Sequence, residues 1–307
     1  MRTVATQTQT ATSRLAHADV PLKQAPRGLW QDAWRRLKRN RSALAGAVII
    51  AAFIILALAA PLIAPYDPIA QNYDHLREGP TLAHPFGTDN FGRDILSRVI
   101  YGARVSLSVG FLGTLLGVAL GVLIGLLAGY YGGWVDSLLM RLLDIQLAFP
   151  GILLAIAIIA VLGVGMQNVV IAIGIFSVPV FARVLRGSIL TLKQLDFVMA
   201  AKAIGVSDRR LMLNHLMPNA LAPILVLSTL RLGTAILTAA SLSFLGLGIK
   251  PPTSEWGSML SDGRQFLQLA PHIAIFPGLA ILIIMLALNL LGDGLRDALD
   301  PKLRSAR

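Results

Sequence analysis

The sequence predicts an all-α integral membrane protein with six membrane-spanning helices. Three observations carry that expectation. The 307 residues are 55% hydrophobic and 14% charged, against about 25% charged in an ordinary soluble domain. The mean hydropathy of +0.68 is held in long apolar runs rather than in short periodic segments. No ten-residue alternating strands appear, and in lipid the backbone polar groups must then be satisfied within helices. The same composition disfavours a disordered chain, a collagen-like fibre, a disulfide scaffold and a soluble enzyme. Cysteine is absent, which removes disulfides, thiolate metal sites and Cys nucleophiles.

Residues 1–41 form a polar, basic N-terminal tail with nine Lys/Arg and two Asp, ending in an amphipathic segment from Trp34 to Arg41. The basic stretch is too long, and the next apolar run too extended, for a cleaved signal peptide. Residues 42–63 carry no charge, about the ~20 residues that cross ~30 Å of hydrocarbon. They form the first expected transmembrane helix. Residues 64–104 are a polar loop with turn signals at 64–68 and 86–89. Residues 105–291 form the core domain with five further spans. These are placed near 107–129, 134–162, 169–185, 219–246 and 271–291, with Pro150 kinking the third or resetting its start. A charged amphipathic loop, 186–217, joins the fourth and fifth spans, and residues 292–307 form a C-terminal tail.

The net charge of +11 then sorts by side. Twenty of the 27 Lys and Arg fall in 1–41, 129–146, 183–217 and 292–307, and six in 64–104 and 248–270. By the positive-inside rule both termini are expected in the cytoplasm. The surplus is a topological signal at the cytoplasmic face and gives no support to nucleic-acid binding. The acidic residues of the outer loops, Asp67, Asp74, Glu78, Glu255 and Asp262, are expected to serve topology and solubility before docking.

Within the spans, Gly113, Gly117, Gly121, Gly125 and Gly129 recur every fourth residue. On a helix they form a slanting groove that admits another backbone. The expected role is helix packing. Arg231 lies about twelve residues into the fifth span, where a charge costs at least ~2.5 kcal/mol. It either lines a translocation pathway, or pairs with a partner subunit or snorkels beside a helix break. Arg141 and Asp144 are spaced to pair on one helical face, and Asn289 is placed for an interhelical hydrogen bond. In 196–219 a short helix capped by Asp196 stops at Gly205, and a second, capped by Ser207, ends at Pro218. Small Ala200 and Ala201 would let another protein approach. The alternative is an amphipathic loop whose basic side chains lie on membrane lipid.

The pattern Ala200-Ala201, three residues, Gly205, then Leu216-Met217-Pro218 resembles the "EAA" coupling loop of bacterial ABC importer permeases. Met199 stands where that family usually has Glu. Further segments resemble its dipeptide/oligopeptide/nickel group: Phe86-Gly87-Thr88-Asp89, Gly92-Arg93-Asp94, Tyr101-Gly102-Ala103-Arg104, the stretch from Ala240 to Gly248 with Pro251-Pro252 and Glu255-Trp256-Gly257, and the ending from Asn289 to Lys302. The likeness covers about residues 30–302 and is strongest to the "C"-type subunit, with details of dipeptide and glutathione importers. It implies a type I ABC importer permease fold in a bacterial inner membrane. It also implies a homologous permease partner, two ATPase subunits and an extracytoplasmic substrate-binding protein. Met199, Ala200, Ala201, Gly205, Ser207, Asp208 and Arg209 would meet an ATPase.

No phosphate-binding loop, H-E-x-x-H or G-x-S-x-G occurs, so this chain is expected to be no enzyme and to hold no cofactor or metal. ATP and Mg would bind the partner ATPase subunits. Dipeptides or oligopeptides, including glutathione, are the expected cargo. A nickel chelate is the alternative, and an ion-gradient transporter a weaker one because the spans lack a central Asp or Glu.

Overall fold

The computed structural model describes residues 29–299. Most of the expected basic N-terminal tail and the end of the C-terminal tail, residues 1–28 and 300–307, lie outside the described residues.

Helix α1 (Leu29–Arg39) is followed by Asn40, whose side chain accepts from Ala43 N at 3.2 Å and starts helix α2 (Arg41–Leu58). Helix α2 breaks at Ala59, and a single turn containing Pro61 follows. Helix α3 (Ile95–Tyr131) has 37 residues, about 55 Å at 1.5 Å per residue. It begins well before residue 107 because Asp94 accepts from Ser97 N at 2.7 Å and caps it. Its first turns carry buried polar groups such as Arg98 and Ser106, which a search for uncharged runs passes over.

The third predicted span is broken rather than kinked. Helices α4 (Gly133–Leu147) and α5 (Gly151–Leu162) meet at 90°, with Pro150 capping the second. Helix α6 (Met166–Leu192) continues through Pro179. Proline donates no N–H to the Ile175 carbonyl, and Gln146 Nε2 of α4 donates to that oxygen instead, at 2.5 Å.

Helix α7 (Asp196–Ala203) leads into helix α8 (Asp208–Phe244). Helix α8 does not stop at Pro218. One turn, Leu211–Leu216, widens to π geometry just ahead of the proline, and such a bulge relieves the clash of the ring with the preceding turn. Helix α9 (Trp256–Gly263) and helix α10 (His272–Leu299) complete the fold. Helix α10 runs on through 292–299, where a tail was expected.

Helices α2, α3, α6, α8 and α10 are each long and apolar enough to cross a membrane, and the bent α4–α5 pair is a sixth candidate span. The chain is thus an all-α membrane protein.

Helix α3 and helix α6 form the most extensive pairing. A Cβ built on Gly113 would lie 2.8 Å from Ile173, on Gly117 2.7 Å from Ser177, on Gly121 2.6 Å from Phe181, and on Gly129 2.9 Å from Ile189. One on Gly125 would strike the Ala182 backbone. The groove is therefore filled by α6 of the same chain.

The end of the bundle made by residues 64–94 and α9 is closed on itself. Asp89 accepts from Arg93 Nε at 2.7 Å, faces Arg98 Nε at 3.5 Å, and also takes the Phe91 and Arg93 amides. All three ionic side chains are buried. Gly92, at φ +70°, presses against the Asn72 backbone, where no side chain would fit. Trp256 is fully buried, donating its indole N–H to Val99 O at 2.9 Å and meeting Phe53 edge-on.

Glu255 corrects one expectation. It is buried, accepts from Gly257 N and Ser258 N at 2.8 Å each, and caps α9. It does not serve solubility. Burial pushes its carboxyl above the usual range, and the two amides oppose that rise.

Candidate coupling surface and translocation face

At the opposite end, α7 is held against the bundle by one face. Val198 and Ala201 are buried with Leu211 and Leu216 beneath it. Phe197, Met199, Ala200 and Ile204 are exposed. The adjacent alanines therefore part ways: Ala200 faces outward, whereas Ala201 is packed by its own chain and is closed to a partner. The helix ends in a Schellman arrangement, with Val206 N donating to Ala201 O at 3.1 Å and Gly205 N to Lys202 O at 3.0 Å. Gly205 sits at φ +79° with open space around it. Glycine is required there by backbone conformation, not by a close neighbour.

The caps differ from expectation. Leu195 precedes α7 and Asp196 is its first residue, while Ser207 makes no side-chain cap. Asp208 is instead used by another element: Tyr130, at the end of α3, donates its hydroxyl to Asp208 Oδ1. The Tyr130 ring also lies 5.5 Å from Lys193 Nζ and 5.6 Å from Lys202 Nζ. Lys193 Nζ donates to the Tyr130 carbonyl at 2.5 Å and the Gly129 carbonyl at 3.2 Å, the orphan acceptors at the C-terminus of α3. Burial and Lys202 push the Lys193 ammonium below its usual range. The glycine-grooved helix is thus tied directly to α7 and the start of α8. Arg209 is exposed beside this junction.

Two ion pairs join α4 to α6. Arg186 reaches Asp136 through Nε and Nη2 at 2.5 Å each, and Arg183 reaches Asp144 at 2.5 Å. The expected Arg141–Asp144 pair is not made, because Asp144 is drawn to the neighbouring helix. Asn289 is exposed and its side chain makes no hydrogen bond among the described residues.

Arg231 lies about two-thirds of the way along α8, half-buried, and pairs with no acid among the described residues. Thr234, Thr238 and Ser241 follow it on the same helical face. Their hydroxyls donate to carbonyls of their own helix, at 2.8 Å each. A polar stripe bearing a cation is thus left at least half-open along the last third of α8.

The Tyr130 junction and the Gln146 contact escaped sequence reasoning. Pro179 was the available signal for the second, since it must free the Ile175 carbonyl. Nothing local marks Tyr130 as the partner of a residue 78 positions away. Among the described residues no group of His, Asp or Glu could hold a metal.

Residues 121–305 match the family of binding-protein-dependent transport system inner membrane components, and residues 28–85 match the N-terminal transmembrane domain of oligopeptide transport permease C. The chain is 54% identical over 278 residues to the glutathione transport system permease protein GsiD of Shigella flexneri serotype 5b, covering 90% of this chain and 91% of that one. It is 51% identical over 276 residues to the dipeptide transport system permease protein DppC of Alkalihalophilus pseudofirmus, with the same coverage, 90% and 91%. Its fold is similar to that of the methionine ABC transporter MetNI in an inward-facing form, at TM-score 0.53 and 17% identity over 66% of this chain and 97% of that one. An amino acid ABC transporter matches at TM-score 0.51 and 16% identity over 65% and 92%. The chain belongs to the binding-protein-dependent transport system inner membrane components, the permeases of ABC importers.

Proposed function

We propose that this chain is one transmembrane half of an ATP-driven importer that carries short peptides, dipeptides or glutathione, across a bacterial inner membrane. It pairs with a homologous permease as a heterodimer, sits on two ATPase subunits and receives cargo from an extracytoplasmic binding protein. Both termini and α7 face the cytoplasm, in keeping with the basic surplus on that side. The chain performs no catalysis; ATP and Mg act on the ATPases.

The observation that carries this reading is α7 itself. It is a short helix anchored by Val198 and Ala201 and presenting apolar Phe197, Met199, Ala200 and Ile204 to solvent. An exposed apolar face of this kind marks an interaction surface. Closure of the ATPases on that face would pass through Asp208 and Lys202 to Tyr130, and so to α3 and the glycine seam. ATP acts by binding one arrangement of this assembly better than the other. The open polar stripe from Arg231 to Ser241 lines the pathway between the two permeases, where a guanidinium meets a peptide carboxylate.

The test is reconstitution of the chain with its permease, ATPase and binding-protein partners in proteoliposomes. ATP-dependent uptake of labelled glutathione or a dipeptide is expected, together with ATPase activity stimulated by the loaded binding protein. Uptake driven by an ion gradient without ATP would contradict the reading. So would uptake of a nickel chelate with no uptake of peptides.

A further inference from the structure

A pocket and a groove meet at Arg104. The pocket, about 680 Å³, lies at the end of the bundle remote from α7 and is lined by Tyr66, Asp67, Tyr101, Arg104 and Ser254. The groove, about 810 Å³, runs down between α2, α3, α8 and α10, and Arg104 lines it as well. Its walls are mostly aliphatic and aromatic, with Ile54, Leu58, Phe111, Leu115, Leu232 and Leu288 among them, and they also carry the hydroxyls of Ser108, Thr114, Ser228 and Thr229.

Sequence places the polar part at the hydrocarbon boundary. Residues 42–66 are uncharged and Asp67 is the first charge after them; residues 105–135 are uncharged and Arg104 is the last charge before them. Tyr66 and Tyr101 flank the two charges, as aromatic rings do at membrane–water interfaces. Both charges are exposed. Asp67 accepts Ile69 N at 2.8 Å through Oδ1, which leaves Oδ2 open. Arg104 has no acidic partner among the described residues. Ser254 is buried and its hydroxyl has no hydrogen-bond partner.

We infer that the pocket and groove form a binding site for one phospholipid with a primary-amine headgroup, of the phosphatidylethanolamine type. A cation and an anion share the pocket, and an apolar channel descends from the cation. A phospholipid needs that order: phosphate on the Arg104 fork, ammonium on Asp67, acyl chain along the aliphatic groove. A primary ammonium donates hydrogen bonds to Asp67, which a choline headgroup cannot do, and a phosphatidylglycerol headgroup brings no cation to Asp67. The site would add a lipid-mediated link between α3 and α2, which already packs on α10 through Gly46.

The test is lipid analysis of the intact importer purified in mild detergent, by native mass spectrometry and by extraction. Wild type is compared with Arg104→Gln, Arg104→Lys and Asp67→Asn, each checked for assembly with its partners. Wild type is expected to retain phosphatidylethanolamine above its share of the membrane. Arg104→Gln should reduce retained phospholipid by about five-fold, the effect of one cation near a lipid surface, and Arg104→Lys should largely preserve it. Asp67→Asn should keep a phospholipid but lose the preference for ethanolamine over choline or glycerol headgroups when the complex is exchanged into mixed vesicles. Retained lipid matching the bulk membrane and unchanged in Arg104→Gln overturns the inference; that is also the result expected if a helix of the neighbouring permease fills the groove.

Discussion

The two ends of the bundle solve opposite problems with similar residues. At the end formed by residues 64–94 and α9, four charges are turned inward: Asp89, Arg93 and Arg98 are buried against one another, and Glu255 is spent on a helix start. At the α7 end, apolar side chains are turned outward while Lys193, Lys202 and Asp208 gather round Tyr130. The buried ionic cluster of the first end is satisfied within one chain. The second leaves apolar Phe197, Met199 and Ile204 exposed, the face on which the proposed ATPase contact rests.

This contrast can be broken most severely at Asp89. Asp89→Ala would leave two buried guanidinium groups without their acid, a loss of about 3–5 kcal/mol. No assembled, monodisperse complex is expected by size-exclusion chromatography. A variant that purified and melted as wild type would mean that this cluster does not hold its end together. Gly121→Leu comes next. Its side chain would collide with Phe181 and the Val178 carbonyl, and overpacking of that kind costs about 1–3 kcal/mol. A lower melting temperature and poor assembly are expected; unchanged assembly and transport would remove the seam from the account.

How far the sequence foretold these ends follows from the kind of signal each uses. Long apolar runs report a helix in lipid, so α2, α6 and α10 were legible from composition. They do not report helix continuing into protein or water, and for that reason the first turns of α3 and the last of α10 were missed. Spacing revealed the glycine groove, because a four-residue step is local, but its partner α6 is a tertiary fact. The helix at α7 was legible from Asp196 and Gly205, yet which alanine faces the partner was not. One helical position separates Ala200 from Ala201, and only packing against Leu211 and Leu216 decides between them. Pro218 misled because a π turn can absorb a proline that an ideal helix cannot.

Smaller effects sharpen the other end. Gly205→Ala introduces no clash, since a Cβ there meets open space, but the left-handed backbone carries a cost of about 1–2 kcal/mol for a residue with a side chain. The expected result is a frayed α7, with ATP hydrolysis partly uncoupled from uptake and global stability little changed. Tyr130→Phe removes the hydroxyl bond to Asp208 and keeps the ring between the lysines, a change of about 0.5–1.5 kcal/mol. ATPase subunits should still bind, while uptake per ATP falls. Full coupling in Tyr130→Phe would show that the force takes another route.

The central claim is that α7 is a docking helix with Ala200 outward and Ala201 inward. The chain contains no cysteine, so a single engineered thiol reports on one position alone. Ala200→Cys and Ala201→Cys are labelled with a membrane-impermeant maleimide in permeabilised membranes, before and after the ATPase subunits are stripped and rebound. Ala200→Cys is expected to label readily without the ATPase and to be protected when it returns, while Ala201→Cys stays unreactive in both states. Equal labelling of Ala200→Cys with and without the ATPase would contradict the account.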